Sequence, residues 1–88
     1  MEIKTIMVMG LELERWEENG VVADFGVEKD WATLYKIESK NEGKGYATAL
    51  LKTAKEHYEG LGKKFGGSVA MSSRMREIYK RLDIEEYK

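Results

Sequence analysis

The chain has 88 residues with 42% hydrophobic, 10% aromatic and 35% charged side chains, values that fit one small soluble domain with a packed core rather than a disordered segment. It contains no cysteine and one histidine, His57, which excludes a disulfide framework, a thiolate metal site, a cysteine nucleophile and a multi-histidine zinc site within one chain. No apolar run approaches the roughly 20 residues of a membrane span, and Met1-Glu2-Ile3-Lys4 does not open a signal peptide, so a cytoplasmic domain spanning residues 1–88 is expected. Net charge is -1, yet residues 1–39 hold nine acidic and four basic side chains, whereas residues 40–82 hold ten basic and four acidic ones. That split suits a C-terminal half that meets an anion and an N-terminal half that meets a cation, or simply solvated charge on helices.

A first strand is expected over Lys4–Met9, although Ile6-Met7-Val8-Met9 could equally begin a helix. Leu11 and Leu13 alternate with Glu12 and Glu14 as in a half-buried strand. Asn19-Gly20 then predicts a two-residue type I′ hairpin, because both positions need positive φ. That register sets Arg15 opposite Asp24, an opposite-charge pair. The β-rich run Val21, Val22, Phe25, Val27 follows, then a polar break at Glu28-Lys29-Asp30. A further strand is expected over Trp31–Ser39, with Thr33, Tyr35 and Ile37 on one face and Leu34 and Lys36 on the other.

The period then changes. Ala47, Leu50, Leu51, Ala54, Tyr58 and Leu61 recur at helical spacing, with Gly60 and Gly62 as left-handed stops. Lys63–Val69 reads as a short strand. Ser72 or Ser73 can cap a last helix with Met75, Ile78, Tyr79 and Leu82 on its apolar face. The order predicts an α+β (mixed α/β) domain in which an antiparallel meander is followed by helix, strand and helix.

The segment Asn41-Glu42-Gly43-Lys44-Gly45-Tyr46-Ala47-Thr48 joins a strand to an amphipathic helix through two glycines that flank a lysine. Helix N-termini present unsatisfied N–H groups and a positive partial charge, and glycine lets backbone approach a bulky anion. A phosphate or pyrophosphate is the natural ligand of such a turn, and an ordinary strand-to-helix connection is the alternative. The spacing is neither a Walker loop nor a dinucleotide fingerprint.

Here the sequence resembles the GNAT superfamily of acyl-CoA-dependent N-acetyltransferases. The pyrophosphate loop of that family, Gln/Arg-x-x-Gly-x-Gly/Ala, is matched by Glu42-Gly43-Lys44-Gly45-Tyr46-Ala47, followed by the family-like Thr48-Ala49-Leu50-Leu51. A second match is the helix Ser72–Ile84, in which Tyr79 takes the position of the tyrosine that commonly serves as general acid. Glu42 stands where the family has Gln or Arg, Ser72 where it has Asn, and Asp83-Ile84 where it has Gly-Phe. The flanking elements that usually build the acceptor site are mostly lacking.

The resemblance implies acetyl-CoA as co-substrate. The amides of Gly43, Lys44, Gly45, Tyr46, Ala47 and Thr48 would hold the pyrophosphate, the strand through Ile37 and Ser39 would run beside the pantetheine arm, and Tyr79 would protonate the thiolate. Packing is the alternative for Tyr79, which shares its helix face with Met75, Ile78 and Leu82. The carboxylates Asp24, Glu28, Asp30 and Glu38 are candidate general bases, or solvated surface. His57 is expected on a face in the middle of the long helix, near Tyr58, rather than as a base. Trp16 and Trp31 suit core or dimer packing, or an acceptor groove. The expected activity is acetyl transfer to a primary amine (a protein lysine, an N-terminus or a polyamine), with a homodimer or a protein substrate completing the site. A non-catalytic module that binds CoA or protein is the first rival. A structural or nucleic-acid-associated role is the second, and a nearly neutral chain is a poor match to nucleic acid.

Overall fold

The computed structural model describes residues 1–40, 44–68 and 73–86, apart from the side chains of Arg74 and Glu86. Strands β1 (Glu2–Val8), β2 (Leu11–Glu18), β3 (Val21–Val27) and β4 (Trp31–Ser39) form an antiparallel meander. Helix α1 (Tyr46–Gly60), strand β5 (Lys64–Gly67), helix α2 (Ser73–Leu82) and strand β6 (Glu85–Glu86) follow. The six strands lie in one sheet in sequence order, with β4, β5 and β6 mutually parallel. The predicted α+β order therefore holds, with β6 added where the sequence reading ended.

Two tight turns set the meander. Asn19 and Gly20 adopt φ of 52° and 78°, as the hairpin signal required, and Arg15 does pair with Asp24. Met9 and Gly10 adopt the same pair of positive φ values, 50° and 82°, which resolves Ile6–Val8 as strand rather than helix.

Both helices pack on one face of the sheet. Trp16, Ala23, Phe25, Ala32 and Leu34 from the strands meet Leu50, Leu51, Ala54 and Tyr58 of α1 and Ile78 and Tyr79 of α2, with Phe65 and Ile84 closing the end. Each fully buried large side chain contributes about 1.5–3 kcal/mol, so this one cluster carries most of the stability of a small domain. At its centre Phe25, Tyr58 and Phe65 lie with ring centroids 5.6–6.2 Å apart, and Trp16 packs against Phe25 at 5.9 Å.

Three expectations are corrected. Strict alternation in β4 fails, because Asp24 pairs with Lys36 but Phe25 with Leu34, leaving Tyr35 as an extra residue. Leu34 and Ile37 both belong to the core side although they stand three apart, and only a bulge lets a strand turn both inward. Tyr35 goes to the opposite face, where it lies on Gly26 so closely that a methyl there would overlap its ring. Leu61 is not core: the helix ends at Gly60, leaving Leu61 at its cap and exposed, and Gly62 rather than Gly60 takes the left-handed turn. His57 lies in the last turn of α1, not its middle.

Candidate functional site

Since β4 and β5 are parallel, their carboxyl ends lie at the same end of the sheet, and α1 and α2 both start there. Ligands in such sheets bind outside the carboxyl ends of parallel strands. Three features meet at this end of the fold.

The first is the end of the described β4–β5 ladder. Their ladder runs from Trp31↔Lys64 to Leu34↔Gly67 and closes with Ser68 N–H donating to Leu34 O at 2.9 Å. Beyond it, β4 passes through the Tyr35 bulge and continues to Ser39 paired with β3, while β5 has ended. The β5-facing edge of Lys36–Ser39 thus carries no strand among the described residues. Lys40 N–H closes β4 on Gly20 O at 3.0 Å, which fixes where the chain leaves the sheet.

The second is the start of α1. Gly45 takes φ 75°, a left-handed conformation that costs an L side chain about 1–2 kcal/mol, and Ala49 N–H donates back to Gly45 O at 3.0 Å. Among the described residues no side chain caps the helix, and no acidic residue stands in the first turn of α1 or of α2. The first-turn amides of α1 and the positive end of its dipole therefore have no side-chain cap among the described residues.

The third is Tyr79. It is buried in the core face of α2, and its hydroxyl donates to Ser68 O at 3.0 Å, just past the end of the β4–β5 ladder. Its ring lies on Gly67, where a methyl group would overlap it. That glycine is therefore a packing requirement of the tyrosine, and nothing in the local sequence announces it.

The other expected residues fall around this frame. Lys44 and Gly45 are exposed; Tyr46, Ala47 and Thr48 are half-buried, and the side chains of Tyr46 and Ala47 rest on the core. Ile37 is half-buried and packs against the core, and Ser39 is half-buried at the strand end. Gly43, with Asn41, Glu42 and Ser72, lies outside the described residues.

Of the candidate bases, Glu28 and Asp30 stand at the β3–β4 turn, the opposite end of β4. Asp24 lies on the helix-free face with both oxygens occupied, Arg15 Nε donating to Oδ1 at 2.7 Å and Nη2 to Oδ2 at 3.0 Å. This hydrogen-bonded pairing also holds the Arg15 guanidinium above its usual pKa. Glu38 lies near the carboxyl end of β4 and pairs with Lys36 at 3.0 Å. Trp16 is core, whereas Trp31 is partly exposed beneath Lys64, whose Nζ sits 5.3 Å from its ring centroid.

A further polar chain lies away from this end. Trp16 Nε1–H donates to Tyr58 Oη at 3.0 Å, and Tyr58 in turn donates to Glu14 Oε1. Burial, and then the Glu14 hydrogen bond, push the Tyr58 hydroxyl well above the usual tyrosine range. His57 is exposed and meets Trp16 edge-on at 5.3 Å. Helical spacing identified Tyr58 as core, but its polar partners come from a strand more than forty residues earlier and had no local signal.

Fold and site together define a one-layer sheet with helices on a single face, in which β4 runs on past the end of the described β4–β5 ladder. No protein-family model, curated protein or solved structure matches the chain. Among the described residues, no helix is long and apolar enough to cross a membrane, and no group of three or more potential ligands is placed to hold a metal ion.

Proposed function

We infer that the chain binds acetyl-CoA at the carboxyl ends of β4 and β5 and transfers the acetyl group to a primary amine, as a small GNAT-like enzyme. The observation that carries this reading is the end of the described β4–β5 ladder at Leu34↔Gly67, just before the Tyr35 bulge, at the same end of the sheet as the left-handed Gly45 start of α1. An unpaired strand edge offers amide hydrogen bonds to an extended pantetheine arm, and a helix start offers N–H donors to a pyrophosphate. Lys44 adds positive charge there.

In the transfer, the neutral amine attacks the thioester carbonyl, the carbon–sulfur bond breaks, and the nitrogen gives up one proton to water. Backbone N–H groups near the bulge polarise the carbonyl. Tyr79 gives its hydroxyl proton to the departing thiolate and recovers one from solvent. The acidic first half of the chain favours a cationic acceptor such as a lysine side chain or polyamine.

A second reading is a non-catalytic module that keeps CoA or protein binding. The burial of Tyr79 on Gly67 and its bond to Ser68 O favour it, because both make the tyrosine a packing residue. Kinetics separate the two. On the enzymatic reading Tyr79→Phe lowers kcat by about 10²-fold with little change in acetyl-CoA affinity. Acetyl-CoA binding with no transfer to any amine by the wild-type chain would establish the second reading instead. Gly45→Val, which forces a β-branched residue into the left-handed region, abolishes acetyl-CoA binding while the circular dichroism spectrum is kept.

A further inference from the structure

Strand β1 is built unlike the rest of the sheet. Among the described residues its only hydrogen-bonded neighbour is β2, so one edge presents N–H and C=O groups that no described strand pairs. Of its seven residues only Ile6 is even half-buried, and none belongs to the core. Yet the strand and its turn are apolar: Met1, Ile3, Met7, Val8, Met9 and Leu11 are all exposed, with Met9 at 98% and Met7 at 66%.

Exposed sheet edges are usually protected by proline, a bulge or unpaired charge. Among the described residues β1 has neither a proline nor a bulge, and its one unpaired charge, Glu2, stands at the first residue of the strand. The chain lacks proline, the β1–β2 register runs unbroken from Glu2↔Glu17 to Val8↔Leu11, and its one lysine, Lys4, is paired with Glu17 at 3.6 Å.

We propose that β1 is the contact strand of a homodimer, in which two copies pair antiparallel through β1 with Thr5 on the two-fold axis. The side-chain pattern selects this register. Ile3 is opposite Trp16 on β2, so the odd residues of β1 share the helix-bearing face. With Thr5 facing Thr5 of the second copy, that face reads Met1–Met9, Ile3–Met7, Thr5–Thr5, Met7–Ile3 and Met9–Met1 across the junction, wholly uncharged.

On the other face Lys4 meets Ile6 and Glu2 meets Val8, so no like charges stand directly opposite. A slip that sets Thr5 against Ile3 brings Lys4 onto Lys4. A slip that sets Thr5 against Met7 leaves Glu2 unpaired and shortens the ladder. The central register alone pairs all seven residues of both strands. It turns the six-stranded sheet into a continuous twelve-stranded one and covers the apolar edge. This interface does not rest on the cofactor reading.

The chain has no cysteine, so single cysteines report the register cleanly. Directly opposed residues of an antiparallel pair have Cα atoms about 4.5–5.5 Å apart, within disulfide reach, whereas Ile3 lies about 14 Å from Ile3 of the second copy. Sedimentation equilibrium of the wild-type chain is expected to give twice 10.1 kDa. Mild oxidation is expected to link Thr5→Cys into a covalent dimer, to leave Ile3→Cys unlinked, and to link the Ile3→Cys/Met7→Cys double variant. Met7→Lys is expected to weaken association about 100-fold or more with an unchanged circular dichroism spectrum. A wild-type mass of 10.1 kDa at every concentration up to about 200 µM would overturn the proposal, as would a dimer that Thr5→Cys fails to link or that Ile3→Cys links alone.

Discussion

Removing one oxygen atom from Tyr58 tests how the core is held. Tyr58→Phe keeps the ring among Phe25, Phe65 and Trp16 but strands the indole N–H of Trp16, which is 2% exposed and donates to the lost hydroxyl. A buried donor without a partner costs about 1–3 kcal/mol. The bond to Glu14 adds about 1 kcal/mol, kept small because that carboxylate is partly exposed and regains water. The expected destabilisation is therefore about 2–4 kcal/mol, a large share of the roughly 4–13 kcal/mol that a chain of this size has, with a fall in Tm of about 10–30 °C.

Urea unfolding followed by tryptophan fluorescence and circular dichroism measures it. The pH dependence supplies a second signature. The Tyr58 hydroxyl is held neutral in the fold above its usual pKa, whereas in the unfolded chain it ionises near pH 10. Above that pH the unfolded state binds fewer protons than the folded one, so this contribution is complete below about pH 10 and fades as pH rises toward the folded value. The gap between wild type and Tyr58→Phe should thus narrow above about pH 10. A destabilisation under about 0.5 kcal/mol at neutral pH, or a gap that widens in alkali, would refute the hydrogen-bonded chain.

Other substitutions probe single contacts. Gly67→Ala drives a methyl into the Tyr79 ring and should cost about 1–3 kcal/mol in chemical denaturation, and a Tyr79→Leu background should relieve part of that cost in a double-mutant cycle. If the two effects simply add, the packing of Tyr79 on Gly67 is wrong. Met9→Asn should stabilise the fold by about 0.5–1 kcal/mol, because Met9 is fully exposed at φ 50° and asparagine tolerates that region better. A loss of stability would contradict the type I′ turn.

What could be read from the sequence was what short-range chemistry dictates. Asn19-Gly20 set a hairpin and, through it, the Arg15–Asp24 pair; the spacing of Ala47, Leu50, Leu51, Ala54 and Tyr58 set α1; Met75, Ile78, Tyr79 and Leu82 set the inner face of α2. The bulge was less visible because strict alternation is the simpler pattern, although Leu34 and Ile37 already stood three apart. Met9-Gly10 hid a second type I′ turn because methionine is a poor signal for positive φ.

The candidate site divides in the same way. The start of α1 just after Gly45 was legible from the glycines before it, and its use as an anion site belongs to the proposed function. The extent of the β4–β5 ladder and the seating of Tyr79 on Gly67 depend on contacts between distant segments, which no local window contains. The use of Asp24 was legible only in part. Its pairing with Arg15 followed from the hairpin, but that both carboxylate oxygens are taken up, leaving it ill-suited as a base, needed the side-chain geometry.

The central claim is that the carboxyl ends of β4 and β5, with the start of α1, form an acetyl-CoA site. Backbone amide NMR during an acetyl-CoA titration tests it most directly. Saturable shifts are expected in Lys44–Thr48, Tyr35–Ser39 and the end of β5, and their loss in Gly45→Val. An absence of shifts at millimolar acetyl-CoA, a binding free energy no better than about -4 kcal/mol, would contradict it, as would shifts confined to the helix-free face.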